Sequence, residues 1–259
     1  MAYETLLVDR EEAHIGVITL NRPEQLNAFN TQMAVELASA LREMDADAEV
    51  RVIIIRGAGK VFSAGIDLNE FWGKNAFEYK EWVSLMEAGL LTMMEITKPV
   101  VAQVHGVAAA NGGGVVAASD LAVASENARI GFTAINAGLF CLGPAVPLMR
   151  AVGRKEALEL LYLGELVPAA DCKAMGLVNR VVPDKDLESE TLAYARRLAE
   201  KSPLALQMGK SGVHTASDME LRKAFEYMNE AFARLCTTQD AQEGIKAFLE
   251  KRRPNWEGR

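Results

Sequence analysis

The chain predicts an α/β protein in which strand–helix units come first and helices come last. Three observations carry that reading. Residues 50–55 and 100–104 are short β-branched runs without polar alternation, as expected of strands buried on both faces of a parallel sheet. A triple glycine, Gly112-Gly113-Gly114, separates the second run from an apolar segment of helical spacing. From Leu187 to the end the pattern is helical.

Taken in order, residues 5–9 and 14–20 read as a hairpin closed by a polar turn and ended by Asn21-Arg22-Pro23. Asn30 and Thr31 are N-cap candidates for a helix whose apolar face is Met33, Leu37, Leu41 and Met44, closing at Asp45-Ala46-Asp47. The 50–55 strand follows, then a turn over residues 57–60. Residues 69–81 show weak periodicity with Phe71, Trp72, Phe77 and Tyr79, and read as an irregular aromatic segment that walls a pocket or anchors a loop. A Met-rich helix spans 84–96. After the 100–104 strand, His105-Gly106 breaks the run and His105 reads as a local hydrogen-bonding residue. Residues 121–124 form a strand, 133–147 a buried loop, 146–152 and 154–163 helices, and 177–182 a strand. Pro168 and Asp171 start a further helix. Helices are expected over 187–201, 203–215, 218–236 and 240–251. The division is a core over 1–186 and a helical region over 187–259, the latter a small domain or an assembly surface.

The glycines are expected just before a helix, where free N–H groups and the helix dipole attract negative charge. No Lys-Ser/Thr pair follows them, so they are not a P-loop, and the third glycine of Gly-x-Gly-x-x-Gly is missing. A developing oxyanion fits such donors. A turn that merely packs tightly fits too.

Composition narrows the classes. The chain has 259 residues and a net charge of −7, which disfavours nucleic acid because no basic stripe is present to neutralise phosphates. No apolar run reaches the length of a membrane span. Three widely spaced cysteines, Cys141, Cys172 and Cys236, suggest a reducing compartment and no disulfide or zinc framework. The first residues lack a signal-peptide pattern, so cytoplasm is expected, or an organellar matrix if a leader has been removed. No metal is implied.

Two segments point further. Phe62-Ser63-Ala64-Gly65-Ile66-Asp67-Leu68 and the stretch from His105 to Gly114 resemble the paired signatures of the crotonase family, the enoyl-CoA hydratase/isomerase superfamily. The similarity includes Asn21-Arg22-Pro23-Glu24-Gln25-Leu26-Asn27-Ala28 and the segment from Glu243 to Arg252, so it runs the length of the chain. The resemblance implies a ββα-spiral core, a helical C-terminal trimerisation region and homotrimers or dimers of trimers. It implies no separate cofactor, with coenzyme A present only as part of an acyl-CoA substrate. By position, the thioester oxygen would be held by the N–H groups of Ala64 and Gly113, and enolate chemistry would follow, as a lyase or isomerase. CoA would lie along Gln25, Leu26, Ala28, Ser63 and Ile66, with Phe248 and Lys251 toward the nucleotide end. Asp67 reads as a helix cap.

The same resemblance exposes departures. Hydratases of the family use two glutamates, and here those positions hold Val116 and Ala134. A third carboxylate position falls near Leu142. Val116, Ala134, Cys141 and Leu142 would line the acyl pocket, and hydration of a simple enoyl-CoA is not expected of them. Replacement acid–base groups are sought in Glu70, Tyr79 and Lys80, with Glu81, Glu87, Asn111, Asn136 and Cys141 also near the pocket. The two readings left are a CoA-thioester enzyme with displaced acid–base residues and a non-catalytic acyl-CoA-binding oligomer.

Overall fold

A computed structural model of the chain describes residues 3–11 and 14–259. With elements numbered in chain order, the larger sheet holds β1 (Leu6–Glu11), β2 (Ile15–Leu20), β3 (Val52–Gly57), β4 (Val100–Val104), β6 (Leu121–Ser125) and β9 (Arg180–Val182), adjacent in that order. The smaller holds β5 (Val107–Ala109), β7 (Arg129–Gly131) and β8 (Leu166–Pro168). β1 and β2 form the expected antiparallel hairpin, with part of its turn outside the described residues. From β2 to β9 the larger sheet is parallel, which is why the first four residues of β3 and all of β4 are buried on both faces.

Three times the chain leaves the larger sheet and enters a second layer: after β3 at Ser63, after β4 through β5, and after β6 through β7. Ser63 pairs parallel with Ala108, and Ala108 with Ile130. The turns therefore stack in register as a spiral, in agreement with the expected fold. Gly106 makes one crossing possible: its φ is +57°, and a Cβ there would lie 2.3 Å from the Lys60 carbonyl oxygen.

Helices α1 (Thr31–Ala46), α2 (Ala76–Glu95) and α3 (Asn111–Ala118) cover one face of the sheet, in a core with Phe29, Met33, Leu37, Leu41, Phe62 and Met93. Asn30 caps α1 by accepting from the Met33 N–H, as expected. The remaining helices are α4 (Leu142–Ala151), α5 (Arg154–Leu163), α6 (Ala169–Ala174), α7 (Leu187–Ala199), α8 (Pro203–Ser217), α9 (Leu221–Cys236) and α10 (Gln239–Leu249). The helical region begins at the expected residue, but the core does not stop there. Leu187, Ala195 and Ala199 of α7 pack with Ile15, Val17, Val52, Ile54, Val101 and Val123 on the opposite face of the sheet. Helix α8 is anchored by Lys210, whose Nζ donates to the Met93 and Lys98 carbonyls and to Asp120 Oδ2, at 2.7, 3.0 and 2.8 Å.

Three expectations need correction. The 69–81 segment is irregular only in its first part: α2 starts at Ala76, under a capping box in which Asn75 accepts from the Phe77 and Glu78 N–H groups and Glu78 accepts from the Asn75 N–H. The 133–147 loop is not buried throughout; it holds a 3-10 turn (Thr133–Ala137), exposed residues 136–139 and the start of α4. The glycines do not precede a helix but form its first turn, in α3.

Candidate active site

The stacking brings the two signature segments together without side-chain bulk between them. A Cβ on Gly112 would lie 2.6 Å from the Ser63 carbonyl oxygen, and one on Gly65 would lie 2.9 Å from the Ala110 Cβ. Behind them, a Cβ on Gly113 would lie 2.9 Å from the Gly131 oxygen and press on the Phe132 ring. Ala110, which enters α3, holds a φ of +48°, costly for a residue with a Cβ. Its N–H donates to the Gly131 oxygen and its carbonyl accepts from the Gly114 N–H, both at 2.9 Å. These bonds over-determine the strained turn.

The helix start leaves the Gly113 N–H without an acceptor among the described residues. Ala64 does not supply the second donor expected of it: its N–H donates to the Leu26 carbonyl at 2.9 Å. Two residues on, the backbone of Ile66 pairs with Phe29 by one edge only, through Phe29 N–H to Gly65 O and Asp67 N–H to Phe29 O, at 2.7 and 2.8 Å. The Ile66 N–H faces the other way and has no acceptor among the described residues. Gly65, at φ +106°, makes the reversal between the engaged and the free donor. Only the tertiary pairing with residues 26–29 decides which N–H is free.

The expected CoA-contacting residues divide. Gln25 and Leu26 are exposed and Ala28 is half-buried, in a tight corner where Leu26 and Asn27 both have positive φ. Buried Asn27 secures that corner, accepting from the Arg22 N–H and donating to the Ala58 and Val61 carbonyls. Ser63 is fully buried and its hydroxyl donates to the Asn27 carbonyl at 2.8 Å, so it braces the corner and is closed to a ligand. Phe248 and Lys251 are exposed at the end of α10, and no hydrogen bond among the described residues joins them to this corner.

Asp67 is structural, as expected. It caps a 3-10 turn (Leu68–Glu70) and pairs with Arg22 at 3.0 Å. Burial alone would raise its carboxyl; the Asn69 N–H and the Arg22 guanidinium overcome that and hold it below the usual range.

Of the acid–base candidates, Glu70 accepts from the Thr31 N–H and hydroxyl at 2.8 and 2.6 Å and so is spent at the start of α1. The Tyr79 hydroxyl donates to the Phe71 carbonyl at 2.7 Å. Lys80 and Glu81 face solvent. Asn111 donates to the Met86 carbonyl and Asn136 to the Gly164 carbonyl. Cys141 is buried, and desolvation pushes its thiol up, away from a reactive thiolate. His105 bonds the Gly59 carbonyl at 3.0 Å, the local role read from sequence. Val116 is buried, Ala134 half-buried and Leu142 exposed. Glu87 remains: half-buried, with no hydrogen-bond donor or cation on it among the described residues, its carboxyl raised by desolvation.

Comparison with known proteins agrees with this architecture. The sequence pattern of the family described as enoyl-CoA hydratase/isomerase matches residues 10–259. The mitochondrial enoyl-CoA hydratase domain-containing protein 3 of Xenopus laevis is 37% identical over 257 residues, covering 99% of this chain and 87% of that protein. The crystal structure of an enoyl-CoA hydratase from Mycobacterium smegmatis superposes with a TM-score of 0.94 at 39% identity, over 98% of this chain and 99% of that one. Human enoyl-CoA hydratase domain-containing protein 3 superposes with a TM-score of 0.92 at 34% identity, over 98% of this chain and 100% of that one. The shared spiral and the match along nearly the whole sequence place the chain in the enoyl-CoA hydratase/isomerase family.

Proposed function

We propose that the chain processes an acyl-CoA thioester whose carbonyl oxygen is held by the N–H groups of Ile66 and Gly113. The observation that carries the reading is this pair of unengaged backbone donors on stacked, strained turns. Fixed donors aimed at an oxygen that gains charge stabilise an enolate, and losing one costs about 10²–10³ in rate. Gln25, Leu26 and Ala28 stand beside the Ile66 turn and support the expected course of the CoA chain. No separate cofactor is invoked. Assembly through the C-terminal helices, as trimers or pairs of trimers, is supported by the exposed Leu221, Phe225 and Phe232 of α9.

Hydration of a simple enoyl-CoA is outside this proposal, because Val116 and Ala134 cannot hold and activate water. The same apolar positions, with Leu142, favour one alternative, a non-catalytic acyl-CoA-binding oligomer. A calorimetric titration and a turnover panel with saturated, enoyl, dienoyl and malonyl-type CoA esters separate the two. The enzyme reading expects binding and turnover of at least one ester. Binding with no turnover supports the alternative, and no binding defeats both. The double variant Val116→Glu with Ala134→Glu is expected to gain crotonyl-CoA hydration.

A further inference from the structure

The chain buries or half-buries several carboxylates beside its core and supplies most of them with donors. Glu36 accepts from the Glu4 and Thr5 N–H groups, and Asp45 from those of Thr97 and Lys98. Asp240 accepts from the Ser202 hydroxyl and the Glu257 and Gly258 N–H groups. Asp67, Glu70 and Asp120 are engaged as well. Glu87 stands apart among the carboxylates packed around α2, α3 and α4: among the described residues no donor or cation meets it. Its carboxylate lies over Gly143 in the first turn of α4, so close that a Cβ on Gly143 would fall 1.7 Å from Oε1. Only glycine leaves room for the carboxylate there.

The place is close to the free Gly113 donor. Leu90 stands one turn along α2 from Glu87, and Pro144 follows Gly143 in α4. Both close on Gly114, at 3.1 and 3.0 Å from the position of its absent Cβ. Asn111 Nδ2 donates to the Met86 carbonyl at 3.0 Å, tying the start of α3 to the residue before Glu87. The carboxylate thus stands where α2, α3 and α4 meet, beside the turn that presents Gly113. Desolvation makes this half-buried carboxylate, which no cation neutralises, a stronger base than an exposed one, and the two N–H donors on the thioester oxygen would acidify the C–H it faces.

Resting on the thioester reading, we infer that Glu87 is the catalytic acid–base residue and that the reaction is a double-bond shift in a 3-enoyl-CoA ester. The Glu87 carboxylate takes a proton from C2. The C–H electron pair enters the conjugated system, and negative charge accumulates on the thioester oxygen at the Ile66 and Gly113 N–H groups. The Glu87 carboxylic acid then returns the proton to C4, where the enolate electrons form the new C–H bond. The double bond moves from C3–C4 to C2–C3 and Glu87 ends as a carboxylate. No water or co-reactant is consumed, which suits a site whose Val116 and Ala134 positions cannot bind water.

The test uses 3-hexenoyl-CoA with the full chain and three variants, Glu87→Gln, Glu87→Asp and Gly143→Ala. Affinity is read by titration, conjugation by ultraviolet absorbance, and proton transfer by deuterium incorporation from heavy water. Wild type is expected to isomerise the ester and incorporate deuterium. Glu87→Gln is expected to bind it equally well, unfold at an equal or higher temperature, and lose about 10²–10⁴ in kcat. Glu87→Asp should retain part of the rate. Gly143→Ala, which displaces the carboxylate without removing it, should lower kcat and serves as the independent test if the first variant misfolds. Wild-type rate in Glu87→Gln, or wild type that binds the ester and leaves both its double bond and its C2 protons untouched, overturns the inference while the binding reading stands. A wild type that does not bind the ester overturns the thioester reading itself.

Discussion

The stacked turns around Gly113 and the helices that end the chain bury apolar surface by opposite means. In the turns, Asn27, Phe62, Ser63, Ala108 and Phe132 are fully or almost fully buried, and backbone approaches backbone across glycine. In α9 no residue is buried, and Phe225 and Phe232 are 65% and 66% exposed. The first region closes on itself and can hold strain at Ala110. The second presents an apolar stripe that this chain leaves uncovered. Local geometry for a ligand is thus made within one chain, whereas the helical end is suited to contact between chains.

The joint between the two regions is the place to break the contrast first. Lys210 is 5% exposed and Asp120 19%, and their bond fastens α8 to the core. Lys210→Met removes the buried cation, leaves Asp120 with only the Val100 N–H and His214, and frees the Met93 and Lys98 carbonyls; it is expected to cost about 3–5 kcal/mol in urea unfolding. A loss below about 1 kcal/mol, the range of exposed ion pairs, would mean that packing alone holds α8. Next comes the closed region itself. Gly112→Val drives a side chain into the Ser63 carbonyl; the expected cost is about 1–3 kcal/mol of stability. Thioester turnover should fall by about 10²–10³ as the Gly113 donor shifts. Normal turnover in a folded variant would separate Gly113 from the oxyanion.

Asp67 probes the same region through pH. Its folded carboxyl titrates below its unfolded value, so its stabilisation is present above about pH 4 and is lost as pH falls through the folded value. Asp67→Asn should therefore unfold more easily than wild type at neutral pH, by about 1.5–3 kcal/mol. The gap should narrow below about pH 4; a gap constant over that range would remove the charge from the explanation. The smallest stability effect belongs to the open region. Phe225→Asp with Phe232→Asp should change unfolding of the single chain by only about 0.5 kcal/mol, as surface substitutions do. In light scattering it should reduce the assembly to smaller species. An unchanged mass would place the assembly surface elsewhere.

Long, strongly patterned elements were legible before folding. The β-branched runs of β3 and β4, the Asn30 cap and Met33–Leu37–Leu41–Met44 face of α1, and the helical end all stand where expected. The small sheet did not announce itself, because three-residue strands such as β5 and β8 are too short to show a period. The first two turns of α2 were hidden by aromatic residues, although Asn75 and Glu78 carried the capping signal.

By itself the sequence determined the α/β class, the family resemblance, the two glycine-bearing segments and the loss of carboxylates at Val116 and Ala134, since these are properties of residue identity and local spacing. Only the tertiary structure decided which N–H groups are free. Ala64 and Ile66 are two residues apart on the same segment, and a carbonyl from Leu26 claims one and spares the other. It also decided which of the candidate carboxylates near the glycine turns is left without a partner. Glu70 and Glu87 look alike in the chain, but one meets the start of α1 and the other meets Gly143. Hydrogen-bond partners are assigned by contacts between distant segments, and those contacts exist only once the spiral has stacked.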